Sequence, residues 1–195
     1  MTGNSRQNIL DRIKKNRPSR SKEADLTTFF PADKTDLVLK FRDNLKRNKG
    51  HYMELDSPGE LGDLLNEQID GTSFIDFTNT VQGSEEIWKT DDLQNFNSIK
   101  VFIAQGSLGV AENGAIWIND EDLKYKRILP FIVEKSIFLL KKDLIVASMH
   151  DAYQKLGKFS TGFGVFIAGP SKTGDIEQNL VIGAHGPLYH SVILI

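Results

Sequence analysis

Apolar side chains recur at helical spacing in two stretches near the amino end of the chain. Ile9, Leu10 and Ile13 predict a short amphipathic helix within residues 7–16. Residues 16–31 contain prolines and serines but few apolar positions, which is typical of an extended linker. A second helix, ending near Gly50, is predicted by four apolar residues: Leu37, Val38, Phe41 and Leu45. We therefore expect an N-terminal helix and linker arm over residues 1–34 and an α/β domain over residues 35–195.

A third helix is predicted directly after a capping signal. Ser57 is a good N-cap, Pro58 suits the first turn, and Glu60 completes a capping box three residues after Ser57. The apolar face of this helix is supplied by Leu61, Leu64, Leu65 and Ile69.

Short runs rich in β-branched and aromatic residues predict strands along the rest of the chain. They cover residues 51–55, 73–77, 101–104, 115–118, 136–140, 164–168 and 191–195. Helical spacing lies between some of these runs, over residues 144–156 and again at Ile176, Leu180 and Val181. Strands that alternate with helices predict an α/β fold with three layers and a mainly parallel sheet, preceded by the helical arm.

Composition narrows the possible functions. Cysteine is absent, which excludes disulfides, catalytic thiols and cysteine ligands for iron–sulfur clusters in this chain, and the histidines lack metal-ligand spacing. No apolar run is long enough to cross a bilayer and the first residues are polar, so we expect a cytoplasmic protein with no membrane span. We also expect no bound metal and no nucleic-acid partner. The net charge of −2 combines +7 over residues 1–50 with −9 over the remainder. The basic segment, residues 1–50, is interpreted either as a docking element or as a solvated helical face.

Three glycine-containing segments carry the candidate chemistry, and the first is Gly106–Gly114. Glycines here allow positive φ and close approach of the backbone to a ligand. Asn113-Gly114 is also a strong turn signal by itself. Two interpretations stay open: a plain turn between strands, with Glu112 at its tip, or a loop that binds a ligand through Gly109, Glu112, Asn113 and Gly114.

The second segment, residues 169–177, follows a predicted strand and precedes the predicted helix at residue 176. Free backbone N–H groups at the start of a helix bind anions. Lys172 would add positive charge, and Ser171 and Thr173 would add hydrogen-bond donors. Asp175 repels anions but fits the helix dipole, and it can also hold a hydroxyl, a cation or Lys172 itself. The segment therefore predicts an anion site, although its spacing matches no P-loop.

The third segment, Gly183–Pro187, presents His185 in a glycine-flanked turn. A histidine in this setting serves as an acid, a base or a hydrogen-bond donor near neutral pH; the alternative is a turn histidine with no chemical role. His190, in the following strand, is interpreted as a packing residue. We expect the three segments to meet in one cleft at strand ends, where open α/β sheets bind ligands.

Four motifs in order resemble those of the LUD-domain family, the lactate utilisation protein C group. They are Gly109-Val-Ala-Glu-Asn-Gly114, Arg127-Ile-Leu-Pro130, Gly169-Pro-Ser-Lys-Thr-Gly-Asp-Ile-Glu177 and Gly183-Ala-His-Gly-Pro187. The resemblance covers about residues 35–195 and implies the α/β fold of sugar-phosphate isomerases and CoA-transferases. It also implies a subunit of a lactate-oxidising system in which other subunits carry the iron–sulfur clusters, so that this chain needs no cofactor of its own.

Four positions depart from the family pattern. Asn113 stands where the family has threonine, Lys172 replaces an arginine, Gly174 replaces an alanine, and Leu188 replaces a polar or basic residue. Lysine keeps the positive charge but loses the bidentate fork of arginine, which leaves the identity of the ligand open.

Residues and resemblance together predict an accessory or substrate-handling subunit of an iron–sulfur-dependent L-lactate oxidation system. In this interpretation Lys172 neutralises a carboxylate or phosphate, while Ser171 and Thr173 donate hydrogen bonds to it. His185 moves a proton, and Glu112 acts as a base or a ligand partner. One alternative is a stand-alone CoA-transferase-like or isomerase-like enzyme that uses Glu112. Another is a non-catalytic regulator that binds a small anion.

Overall fold

The structure, a computed structural model, describes residues 4–18, 36–55, 57–86, 89, 93–157, 162–174 and 180–195. The chain divides into two compact units, Met1–Asp33 and Lys34–Ile195. In the first unit, helix α1 (Asn4–Lys15) agrees with the amphipathic pattern. Its apolar residues Ile9, Leu10 and Ile13 are exposed, so the described part of this unit forms no core of its own.

Helices and short strands make up the second unit. The helices are α2 (Leu37–Arg47), α3 (Leu61–Ile69), α4 (Leu129–Ile132) and α5 (Met149–Leu156). The strands are β1 (His51–Glu54), β2 (Phe74–Asp76), β3 (Val101–Gln105), β4 (Leu108–Val110), β5 (Ala115–Asn119), β6 (Lys135–Leu140), β7 (Ile145–Val146), β8 (Gly164–Ile167), β9 (Lys172–Gly174), β10 (Leu180–Ile182) and β11 (Tyr189–Leu194). Each run predicted as a strand contains one, with ends shifted by at most two residues.

A five-stranded parallel sheet in the order β1-β11-β6-β3-β2 forms the centre of the unit. Successive residues of a strand point to opposite faces. On one face Ile103 and Ile137 pack with α3, and on the other Phe102 and Phe138 pack with α2. The predicted three-layer α/β fold with a mainly parallel sheet is therefore confirmed.

A second sheet, which the sequence pattern did not predict, has the order β7-β4-β5-β8. Its β4–β5 and β5–β8 pairs are antiparallel, and its β4–β7 pair is parallel. Ile116 and Ile118 of β5 join the same core as α2, whereas Trp117 between them packs with Ala152 of α5. Its strand β8 leads directly into the loop that borders the candidate site.

Two predicted helix starts are wrong. The helix after Ser57 begins only at Leu61, because residues 58–60 form a 3-10 turn and the Ser57 hydroxyl accepts the N–H of Gly59. The helix predicted over residues 144–156 begins at Met149, and Ile145–Val146 is strand β7 instead. The true start of α5 is a capping box, in which Ser148 and Asp151 exchange side-chain and backbone hydrogen bonds.

The helix predicted from Ile176, Leu180 and Val181 is wrong over its described part. Leu180–Ile182 is strand β10, which pairs antiparallel with β9 and places Ile182 opposite Lys172. A short apolar run does not by itself distinguish a helix from a strand, and the β-branched pair favours the strand here. Residues 175–179 lie outside the described residues. Since the described chain continues from Lys172 as a strand, a helix start no longer supports the predicted anion site.

Candidate functional site

Two of the three predicted segments are joined by backbone hydrogen bonds. The N–H of Ser171 donates to the carbonyl of Pro187, and the N–H of Gly183 donates to the carbonyl of Ser171, each at 2.9 Å. Gly186 lies so close to this loop that a Cβ atom there would be 3.1 Å from both the Ser171 Cβ and the Phe131 carbonyl. Glycine therefore allows the loop before β11 to close onto the loop after β8.

A cavity of about 300 Å³ opens between these loops. Residues of β8, residues 168–171 and residues 185–187 form most of its lining, together with Pro130, Phe131 and Ser136. Ser136 is the second residue of β6, and the 185–187 loop leads into β11, so the cavity lies at the amino ends of these two parallel strands. The prediction named strand ends without specifying which; open α/β sheets usually bind ligands at the carboxyl ends, so this cavity lies at the opposite edge. Ser171 and His185 line one cavity, and His185 is exposed beside it.

Lys172 follows Ser171 directly and is the first residue of β9. Partial burial, and then the positive charge of Lys49, lower the pKa of its ammonium group. No carboxylate of the described residues contributes to that shift. Two neighbouring cations repel one another, and a bound anion relieves this repulsion. The charge pattern beside the cavity therefore suits an anionic ligand.

A buried polar pair lies at the same edge of the sheet. His190 of β11 stands opposite Ser136 of β6 in the parallel register, and the His190 Nδ1 is 3.1 Å from the Ser136 Oγ. His190 is fully buried and packs against the Phe138 ring. Burial, helped by the charges of Lys172 and His51, lowers the pKa of His190 to about 3, so the imidazole is neutral at neutral pH.

Sequence reasoning missed this pair because it treated His190 as a packing residue only. His190 does pack, but its ring also has a polar partner. The available signal was a histidine and a serine inside two mostly apolar strands, since a buried polar residue is more informative than a buried apolar one. The strand register that brings them together could not be read from the sequence.

The first predicted segment forms the β4–β5 hairpin, and its glycines have clear packing roles. A Cβ atom on Gly109 would be 2.6 Å from the Leu140 Cδ2. Gly114 has a φ of +68°, and a Cβ atom there would overlap the backbone of Asn44 and Leu45 in α2. Asn113 accepts the N–H of Ala115 through its own side chain. None of these three predicted ligand-binding residues is among those that line the cavity.

Glu112 is exposed at the tip of that hairpin. Its Oε2 accepts the N–H of Met149 at 2.8 Å, which gives α5 a second cap beside Ser148. Asn48 connects the neighbouring turns, because its Nδ2 donates to the Asn113 carbonyl at 2.7 Å and its carbonyl lies against Gly169. The turn that carries Glu112 is thus linked through Asn48 to the loop after β8, but Glu112 is not one of the lining residues.

Two predicted site residues remain, Thr173 and Asp175. Thr173 is exposed on β9 opposite Val181, and Asp175 is outside the described residues. Among the side chains that the structure describes, no group of three or more histidine, aspartate or glutamate residues is placed to hold a metal ion. In the same residues, no helix is long and apolar enough to cross a bilayer.

These features define an α/β protein with a small, donor-lined cavity at the amino ends of two parallel strands. The sequence model of the LUD domain matches residues 79–195, and the chain belongs to the LUD-domain family. The family expected from the four motifs is confirmed.

Three relatives named lactate utilization protein C illustrate the similarity. The protein named lactate utilization protein C 1, from Bacillus mycoides, is 27% identical over 113 residues, or 55% of this chain and 48% of that protein. The protein from Bacillus pumilus is 35% identical over 92 residues, or 44% of this chain and 38% of that protein. That from Geobacillus thermodenitrificans is 25% identical over 200 residues, or 87% and 82%. The chain thus spans about half or less of the first two relatives and most of the third.

A solved structure has the same fold. A DUF162 family protein from Deinococcus radiodurans superimposes with a TM-score of 0.59, covering 84% of this chain and 99% of that chain. The two sequences are 15% identical, so this likeness establishes the fold alone.

Proposed function

We propose that this chain has a role in lactate utilisation, as an accessory or substrate-handling subunit of a cytoplasmic, iron–sulfur-dependent system that oxidises L-lactate to pyruvate. The names of its relatives support the lactate context. The cavity supports a role in holding the substrate.

The observation that carries the proposal is the convergence of Ser171, His185 and Ser136 on one small cavity beside Lys172. Lactate is a small anion with one carboxylate and one hydroxyl, and pyruvate retains the carboxylate. Lys172 supplies positive charge for that carboxylate, and Ser171 supplies a hydroxyl donor. A cavity of about 300 Å³ is at the small end of ligand sites, which suits a three-carbon acid better than a large cofactor.

Oxidation of lactate to pyruvate removes two electrons and two protons from the substrate. In the proposal, His185 accepts a proton at the mouth of the cavity. The second proton would go to water, and iron–sulfur clusters on partner subunits would take up the two electrons, because this chain contains no cysteine to hold such a cluster. The residues of this chain bind and orient the acid.

A complementation experiment tests this role in the host organism. Deletion of the gene should abolish growth on L-lactate but not on pyruvate, and the intact gene should restore it. The Lys172→Ala variant should fail to restore growth. Lys141→Ala is the matched control, because Lys141 is an exposed lysine that follows the other end of β6. Normal growth of the deletion strain on L-lactate would contradict the proposal.

Purified protein provides a second test. The chain alone should be colourless and should not reduce a redox dye with L-lactate, whereas addition of its cysteine-rich partner subunits should restore lactate-dependent reduction. Flavin or iron–sulfur absorbance in the pure chain, or dye reduction without partners, would contradict the proposal that partner subunits carry the redox groups.

The enzyme and regulator alternatives stay predictions. A CoA-transferase mechanism requires Glu112 to attack the substrate as a free carboxylate. In the structure this carboxylate accepts the N–H of Met149, so no contact specifically favours that mechanism. Trapping a covalent adduct on Glu112 would favour it over the proposal.

A further inference from the structure

In the buried pair Ser136 and His190, the two ring nitrogens of His190 differ in their hydrogen bonds. The Nδ1 of His190 has the Ser136 hydroxyl as its partner, whereas its Nε2 is buried and has no partner among the described residues. A neutral imidazole carries one N–H and one bare nitrogen, so either Nδ1 or Nε2 must be the protonated atom.

The two tautomers differ in which buried group lacks a partner. With the proton on Nε2, the ring buries an N–H donor that has no acceptor, and Ser136 donates its hydrogen to Nδ1. With the proton on Nδ1, the ring donates to the Ser136 oxygen, the bare Nε2 lacks a partner, and the Ser136 hydrogen is free to point into the cavity that Ser136 lines. Buried donors without acceptors are rarer than under-satisfied acceptors. The second tautomer is therefore favoured, and burial keeps the ring neutral in either case.

This tautomer fixes the role of the serine. A hydroxyl has one hydrogen to donate and two lone pairs. When one lone pair accepts the His190 N–H, the hydrogen must find another acceptor. Ser136 lines the cavity, and its hydroxyl has no other hydrogen-bond partner in the described part of the chain.

We propose that His190 orients the hydroxyl of Ser136 as a hydrogen-bond donor into the cavity, where it binds a carboxylate oxygen of the ligand. The choice of ligand rests on the proposed function. His190 is a positioning residue, since it acts through Ser136 and not on the ligand. Ser136 is only 1% exposed, so only an oxygen seated deep in the cavity reaches it. The contact therefore selects small carboxylic acids over bulky ones, while Lys172 supplies attraction without such selectivity.

Nuclear magnetic resonance of the full chain with nitrogen-15-labelled histidine tests the orientation without any ligand. Long-range proton–nitrogen correlations distinguish the two tautomers of a neutral imidazole. We expect His190 to have a protonated Nδ1 and a bare Nε2 between pH 6 and 8. A protonated Nε2 with a bare Nδ1 would overturn the inference. The His190→Asn variant identifies the signal by its loss.

Calorimetric titration with L-lactate tests the contact. Ser136→Ala should weaken binding about tenfold or more, because the acceptor is charged. Asparagine places an amide N–H where the His190 Nδ1 stands, so His190→Asn should bind lactate nearly as tightly as the wild type. Glutamine places its amide N–H nearer the position of Nε2, so His190→Gln should lose affinity as Ser136→Ala does. Equal affinities of Ser136→Ala and the wild type would overturn the inference.

A thermal melt of each variant checks that the compared proteins are folded. Should His190→Gln not fold, Ser136→Ala and the nuclear magnetic resonance result still decide the question. Absence of lactate binding by the wild type would overturn the proposed function, and the tautomer measurement would still decide whether His190 orients Ser136.

Discussion

Two regions of this chain are both rich in glycine but have different roles in the structure. In the 106–114 hairpin, Gly109 and Gly114 let the backbone pack against Leu140 and α2, and the acidic side chain at the tip caps a helix. In the 169–171 and 183–187 loops, the glycines let two loops join around a cavity lined by hydroxyls and a histidine. Glycine content thus marks close backbone approach in both regions, but only the second region combines it with polar side chains that line a cavity.

The largest expected effect is a loss of stability from Gly114→Ala. The positive φ costs about 1–2 kcal/mol for a residue with a Cβ atom, and the overlap with α2 adds about 1–3 kcal/mol. Gly71→Ala is the matched control, because Gly71 has the same φ of +68° with nothing within 4 Å of its Cβ position. Urea denaturation should show a larger loss for Gly114→Ala. Equal losses would show that the packing against α2 is unimportant.

The second expected effect is a loss of ligand affinity from Lys172→Ala. A charge-assisted contact is worth about 1.5–3 kcal/mol, or roughly ten- to a hundredfold in affinity. The free energy of unfolding should change by no more than about 0.5 kcal/mol, because Lys172 is exposed. Calorimetric titration with lactate, pyruvate and inorganic phosphate measures the first quantity, and a thermal melt measures the second. Lys141→Ala should change neither, and unaltered binding by Lys172→Ala would remove this lysine from the site.

The third prediction concerns the pH dependence of stability, which we expect the buried histidine next to the second region to control. His190 has a pKa of about 3 in the folded chain against 6.5 when unfolded. Below pH 6.5 the unfolded chain therefore binds a proton that the folded chain does not. The free energy of unfolding should fall as the pH decreases, by about 1.5 kcal/mol between pH 6.5 and 5. Urea denaturation at several pH values should show this loss in the wild type but not in His190→Asn. Parallel pH profiles would contradict it.

The contrast between the two regions also explains what the sequence could predict. The strands of the parallel sheet were found because runs such as Val101-Phe102-Ile103-Ala104 are apolar throughout, as strands buried on both faces are. The antiparallel pair β9–β10 was missed because Lys172–Gly174 has no apolar signal and Leu180–Ile182 is too short to distinguish a strand from a helix. Local composition decides the first kind of element, whereas a pairing partner decides the second.

The candidate site was predicted only as far as local signals reach. Glycines and hydroxyls identified Ser171 and His185, because a tight turn is specified by the residues within it. The pairing of Ser136 with His190 joins positions 54 apart along the chain through the register of two strands. No local pattern specifies that register, since any parallel alignment of two apolar strands buries similar side chains.

The smallest expected effect is a partial loss of stability from Glu112→Ala, and it decides which role the hairpin tip has. Removal of the carboxylate leaves the N–H of Met149 without its acceptor at the start of α5. A lost helix cap costs about 0.5–1 kcal/mol when a second cap, here Ser148, remains. Glu112→Gln should recover most of that stability, because its amide oxygen still accepts the N–H. Urea denaturation measures both variants, and lactate affinity should equal that of the wild type in each. If Glu112 were instead the nucleophile of a CoA-transferase, Glu112→Gln would remain stable but lose activity, because an amide does not form the thioester intermediate.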